Sequence, residues 1–168
     1  MKAASFRQIV RTLHEAHVRY LVAGGIAVIA HGYLRFTNDV DLVIELTTDN
    51  IKRAFDALRQ LGYEPAVPVT PDQFADPAIR GSWIREKDMK VLQFWSDKHR
   101  ETPVDLFVSE PFSFDDEYAR ALIKPLDKVL DVRFVRRPTL IAMKGEARRE
   151  QDRIDIEHLR MGMEDDEQ

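Results

Sequence analysis

With 168 residues the chain is long enough to bury a core and still leave surface for a cleft, and one domain over 1–168 is expected, with a helical C-terminal segment at about 138–160. The balance of 25 basic against 29 acidic residues gives a net charge of −4, which excludes a global basic field and confines any nucleic-acid contact to a local patch. The absence of cysteine excludes disulfides, thiolate nucleophiles and cysteine zinc sites, so cofactor chemistry must rest on carboxylates or histidines, and a cytoplasmic protein is expected.

Residues 5–17 set Phe6, Ile9, Val10 and Leu13 on one helical face and Arg7, Arg11 and Glu15 on the other, and Tyr20-Leu21-Val22 follows as a buried strand. The apolar run from Tyr20 to Ala30 is broken by Gly24 and Gly25 and is too short to cross a bilayer, so no membrane partner and no signal peptide are expected. The two glycines sit at a strand-to-helix turn, with a short helix over Ile26 to His31. After a link from Tyr33 to Asn38, Asp39 to Ile44 alternates acid with aliphatic and reads as a second strand. Asp49 and Asn50 can then cap a helix from Ile51 to Leu61, which Gly62 stops.

The four prolines Pro65, Pro68, Pro71 and Pro77 predict an irregular loop. Trp83-Ile84 and Val91 to Trp95 around the polar turn Arg85 to Asp88 predict a hairpin, and Val104 to Val108 a further buried strand carrying Asp105. A short helix near Asp115 to Ala121, a strand pair at Leu122-Ile123 and Val132 to Val135, a helix opened by Pro138-Thr139, a last helix from Gln151 to Leu159 and a fraying acidic tail from Met163 complete the chain. The predicted architecture is α/β (α+β): a small mixed β-sheet flanked by helices.

Residues two apart on a strand point the same way, so Asp39 and Asp41 project together while Val40 and Leu42 enter the core. Two solvated acids on a strand edge are the bland alternative. In a cleft the pair would repel itself without a cation, and hard oxygen ligands at this spacing suit Mg²⁺ or Mn²⁺. Asp105, flanked by apolar residues, needs water, a base or a metal; if its strand lies beside that of Asp39 and Asp41, three acids converge as in two-metal phosphoryl transfer. Gly24-Gly25 leaves backbone N–H groups open to a phosphate at a helix start, although two glycines taken alone are better explained by a ligand-free tight turn.

Gly24-Gly25, a short helix, Asp39-Val40-Asp41 and a later strand aspartate, Asp105, resemble the polymerase-beta-type nucleotidyltransferase superfamily. The run Gly24-Gly25-Ile26-Ala27, His31-Gly32, Arg35, Thr37, Asp39-Val40-Asp41-Leu42, with Lys144, Arg149, Asp152 and Asp155 further on, is similar to the branch that includes abortive-infection toxin nucleotidyltransferases. The resemblance implies that Gly25 and its neighbours hold the triphosphate of an NTP substrate, that Asp39, Asp41 and Asp105 are the catalytic metal-binding acids, and that Lys144 reaches the phosphates. Many members have serine where this chain has Gly25, which removes a hydroxyl contact and leaves the backbone amides.

Arg35 and Thr37, just before the acids, are candidate nucleotide contacts, with Arg35 able either to offset phosphate charge or to clamp Asp39 or Asp41. Lys144 must snorkel outward or point into the cleft, with Asp152 as its partner, while Arg149, Asp152 and Asp155 otherwise read as helix-surface ion pairs. Trp83, Phe94 and Trp95 with Arg80, Arg85, Lys87 and Lys90 form either a base-stacking hairpin or one packing its aromatics inward, and Arg133, Arg136, Arg137, Arg148, Arg149 and Arg153 form a second basic patch. The reading is a metal-dependent transfer of NMP to an acceptor hydroxyl of tRNA or protein, with a toxin role and a cognate antitoxin as partner. Its alternatives are a catalytically inactive partner-binding relative and a small-molecule transferase acting on antibiotic hydroxyls.

Overall fold

The computed structural model describes residues 1–147 and 149–166, with the side chains of 164–166 left aside. The first helix, α1 (Ala3–Glu15), buries Phe6, Ile9, Val10 and Leu13, the face that its periodicity marks. It ends in a left-handed residue, His17 at φ +54°, with Val18 N–H bonded back to the Leu13 carbonyl at 3.0 Å. Strand β1 (Tyr20–Val22), helix α2 (Gly24–Ala30) and strand β2 (Val40–Ile44) follow as expected. Helix α3 (Thr48–Gln60) is stopped by Gly62 at φ +80°.

Asn50 does not cap α3. It is fully buried, its amide donating to the carbonyls of Arg19 and Glu45 at 3.0 and 2.9 Å and its oxygen accepting from Arg19 N–H at 2.8 Å. It clips together the ends of β1 and β2 farthest from the glycine turn.

The proline-rich stretch departs most from its sequence reading. Beyond β3 (Tyr63–Pro65) it forms two helices, α4 (Pro71–Ala75) and α5 (Pro77–Lys87). Each opens with proline at its first position, where the fixed φ suits a helix and the missing N–H costs nothing. Thr70 and Gln73 make a reciprocal capping box, and Asp76 caps α5 through Ala78 N–H at 2.8 Å. The expected Trp83 hairpin is therefore absent: Trp83-Ile84 lies inside α5, and β4 (Val91–Ser96) pairs instead with β3 and with β5 (Val104–Phe107).

Helix α6 (Phe114–Arg120), the antiparallel pair β6 (Leu122–Pro125) and β7 (Asp131–Phe134), and helix α7 (Arg137–Ala147) agree with the reading. Helix α8 (Glu150–Asp166) continues through most of the expected fraying tail; residues 167 and 168 lie outside the described residues. The sheet order is β3-β4-β5-β2-β1-β7-β6. β1 and β2 are antiparallel, β2 and β5 parallel, and β1 and β7 parallel. One edge of the sheet thus collects the ends of β1 and β7 and the beginnings of β2 and β5. Leu21, Leu42, Ile44, Ile51, Phe55, Phe74, Leu92 and Phe94 fill the core, with Phe55 set edge-on to Phe94 at 5.1 Å between ring centres. Among the described residues no helix is long and apolar enough to cross a membrane.

Candidate active site

On β2 the residues Val40, Leu42 and Ile44 are buried while Asp41, and Asp39 just before the strand, stay partly open. The parallel register sets Asp41 directly opposite Asp105 of β5. Oxygens of Asp39, Asp41 and Asp105 all lie within 4.8 Å of one another. The strand adjacency on which the sequence reading of Asp105 depends is therefore present.

The glycines make this approach feasible. Gly24 adopts φ +59°, and a Cβ there would lie 1.8 Å from Asp41 Oδ2, so any side chain would collide with a candidate metal ligand. At Gly25 a Cβ would lie 2.5 Å from Thr37 Oγ1 and 3.0 Å from Arg35 Nη1. The crowding from Thr37 and Arg35 accounts for glycine, rather than serine, at this position. Thr37 is buried over Gly25, with its hydroxyl 3.5 Å from Asp39 Oδ1.

The electrostatics follow from the crowding. Burial, and then the charges of Asp39 and Asp105, push the Asp41 carboxyl up to about 7, against a smaller lowering by Lys144 and Arg149. Burial also raises Asp105, opposed by a 3.2 Å hydrogen bond from Gln93 Nε2 and reinforced by Asp39. Three clustered carboxylates, one resisting ionisation to near neutrality, fit a hard divalent cation, which would relieve their repulsion.

Arg35 reaches neither Asp39 nor Asp41. Its Nη2 donates to Asp155 Oδ2 at 2.8 Å and its Nη1 to the Phe36 carbonyl at 2.7 Å, tying the linker to α8. Lys144 does not snorkel outward: it is buried between Asp152 at 3.2 Å and Asp155 at 2.6 Å. Asp152 and Asp155 are buried too, which overturns their reading as helix-surface pairs. They share a helical face with Leu159, also buried, and that spacing was a signal legible in the sequence. Gln93, which faces Asp105 across β4 and β5, had no such signal.

The basic, aromatic group around Trp83 disperses. Phe94 is in the core, Trp83 packs near Phe74, and Arg80 is buried with Nη1 donating to the Phe74 carbonyl. The second patch is largely engaged, Arg136 by Glu117 at 2.8 Å, Arg133 over the Tyr118 ring at 4.5 Å and Arg137 by the Gly162 carbonyl at 2.6 Å; Arg148 lies outside the described residues. Beside it, at the far end of α2 from Gly24, opens a cavity of about 720 Å³ bordered by His31, Arg120, Lys124, Arg136 and Arg137.

A glycine turn leading into a short helix thus faces three acids from two parallel strands at one edge of the sheet. The sequence matches no protein-family profile and no curated protein; the likeness lies in solved structures. The crystal structure of lincosamide antibiotic adenylyltransferase LnuA with lincomycin bound is similar at a TM-score of 0.63 and 14% identity, over 95% of this chain and 97% of LnuA. The solution structure of the antibiotic-resistance factor ANT(2'')-Ia is similar at 0.56 and 13% identity, over 94% of this chain and 80% of that one.

Proposed function

We propose that the chain is a metal-dependent nucleotidyltransferase of one domain that moves NMP from an NTP to an acceptor hydroxyl. The observation that carries this is the convergence of Asp39, Asp41 and Asp105 beside the Gly24 turn, within a fold shared with nucleotidyltransferases. Mg²⁺ or Mn²⁺ held by the three acids would neutralise the triphosphate and increase the acidity of the acceptor oxygen. Asp105, opposite Asp41 on the neighbouring strand, would take the acceptor's proton as the new oxygen–phosphorus bond forms. The bond from the α-phosphorus to pyrophosphate breaks, and pyrophosphate leaves. The backbone N–H groups at Gly24 and Gly25 would bind the phosphates, while Thr37 and Arg35 fill the space beside Gly25.

Two acceptor classes have support. The cavity at the end of α2, about 10 Å along that helix from the glycines, carries Arg120 and Lys124 beside the engaged Arg136 and Arg137, and this basic border supports contact with the phosphodiester backbone of an RNA such as tRNA. The likeness to LnuA over almost its whole length supports a small antibiotic hydroxyl instead.

The deciding experiment incubates the chain with each labelled NTP and Mg²⁺, together with total RNA, with cell protein or with a lincosamide or aminoglycoside. Label should enter one acceptor, and transfer should vanish in Asp39→Asn and Asp41→Asn while both variants stay folded. Transfer retained in both variants would sink the assignment, and no transfer to any acceptor would favour a catalytically inactive partner-binding relative. A toxin role, which rests on the sequence resemblance, requires growth arrest on expression that Asp41→Asn abolishes.

A further inference from the structure

The three cations joined to Asp152 and Asp155 are not equivalent. Lys144 is buried with its ammonium held by Asp152 and Asp155, two carboxylates that are themselves almost wholly buried. Arg35 has Nη2 on Asp155 and Nη1 on the Phe36 carbonyl. Arg149, at the junction of α7 and α8, differs from both. Its backbone N–H and its Nε each donate to Asp152 Oδ2 at 3.1 Å, and its side chain is 80% exposed. Among the described residues no hydrogen bond engages its two Nη groups.

One edge of the Arg149 guanidinium is thus anchored, while its two remaining nitrogens form a planar fork matched to a pair of phosphate oxygens. A chain of contacts joins it to the glycine turn: Arg149 and Lys144 share Asp152, Lys144 and Arg35 share Asp155, and Arg35 Nη1 lies 3.0 Å from where a Cβ on Gly25 would sit. For Lys144 to grip a phosphate it would have to leave two carboxylates in the protein interior, where an ion left without its partner is strongly disfavoured. Arg149 needs to break nothing.

We propose that Arg149 is the residue that grips the β- and γ-phosphates of the incoming NTP, and that Lys144 is a positioning residue that fixes Asp152 and, through it, Arg149. The proposal rests on the nucleotidyl-transfer reading and reverses the role that the sequence resemblance gives Lys144. The Asp152 carboxylate is its hinge, since Oδ1 accepts from Lys144 and Oδ2 from Arg149.

Titration calorimetry with inorganic pyrophosphate and Mg²⁺ tests this without turnover. Arg149→Gln should lose about tenfold or more in pyrophosphate affinity, as expected for charge-assisted hydrogen bonds, with an unchanged Tm. Arg149→Lys should recover part of it. Asp152→Asn should weaken binding through the same residue, so that the double variant Arg149→Gln, Asp152→Asn binds no worse than Arg149→Gln alone. Lys144→Met should lower the Tm and, measured at a temperature where it is folded, lose less affinity than Arg149→Gln. The proposal is overturned if Arg149→Gln binds pyrophosphate as the wild type does, if Lys144→Met loses the larger share, or if the wild type has no affinity for magnesium pyrophosphate. A wild type that binds pyrophosphate through Arg149 but transfers nothing would refute the transfer reading and leave the grip standing.

Discussion

Replacing Asp41 by asparagine should make the cation-free protein more stable while destroying its function. Burial and the charges of Asp39 and Asp105 hold this carboxyl at about 7 against an ordinary 3.8. At about 1.4 kcal/mol per pH unit, ionising it in the folded protein costs about 4 kcal/mol. Asp41 is partly open to solvent, and screening reduces the expected effect to about 2 kcal/mol. Between about pH 4 and pH 7 the unfolded chain has released this proton and the folded chain has not, so wild-type stability falls with rising pH and then levels off. Asparagine cannot ionise. The stability gap should therefore be absent near pH 4 and complete by about pH 8, where it corresponds to about 4–8 °C in Tm. Thermal unfolding followed by circular dichroism in EDTA at several pH values measures it, and Mg²⁺ should stabilise the wild type but not the variant. A variant no more stable than the wild type at pH 8, or a gap that does not change with pH, would refute the account of a self-repelling triad.

Three further outcomes follow from particular contacts. Gly24→Ala sets a methyl group against Asp41 Oδ2 at a left-handed backbone position, so transfer and Mg²⁺-induced stabilisation should both be lost, as activity assays and thermal shifts would show. Glu117 is buried; that alone would raise its pKa, but hydrogen bonds from Arg136 and Thr139 bring it below the usual carboxylate range. Glu117→Ala should cost about 3 kcal/mol in urea unfolding, and the stability that Glu117 supplies should be present above about pH 4.5 and lost as acid protonates it. His17→Gly places glycine where the chain turns left-handed after α1 and should add up to about 1 kcal/mol in the same assay, with transfer unchanged.

The first half of the chain was largely legible because its signals are local. The period of α1, the glycine turn, the alternation of β2 and the stop at Gly62 each follow from residues a few positions apart. The stretch from Pro65 to Lys87 departs from its sequence reading because proline opens helices as well as breaking them: Thr70-Pro71-Asp72-Gln73 and Asp76-Pro77 are helix starts. The basic, aromatic hairpin failed with it, since Trp83 belongs to a helix and only Phe94 and Trp95 to a strand.

By itself the sequence determined that Asp39 and Asp41 share a face, because a strand alternates with a period of two whatever surrounds it. It also set a glycine turn before them, and only the structure shows that Asp41 fills the place a side chain on Gly24 would need. The tertiary structure decided everything that required two distant segments to meet. Asp105 joins the pair through the parallel register of β2 and β5, across 64 residues of chain that no local pattern spans. The resemblance gives Lys144 to the phosphates, and the sequence reads Arg35 as a contact to phosphate or to Asp39 or Asp41, yet Asp155 takes both, because a cation inside the fold settles on the nearest buried carboxylate. That pairing engages Lys144 and Arg35, while the Nη groups of Arg149 stay exposed.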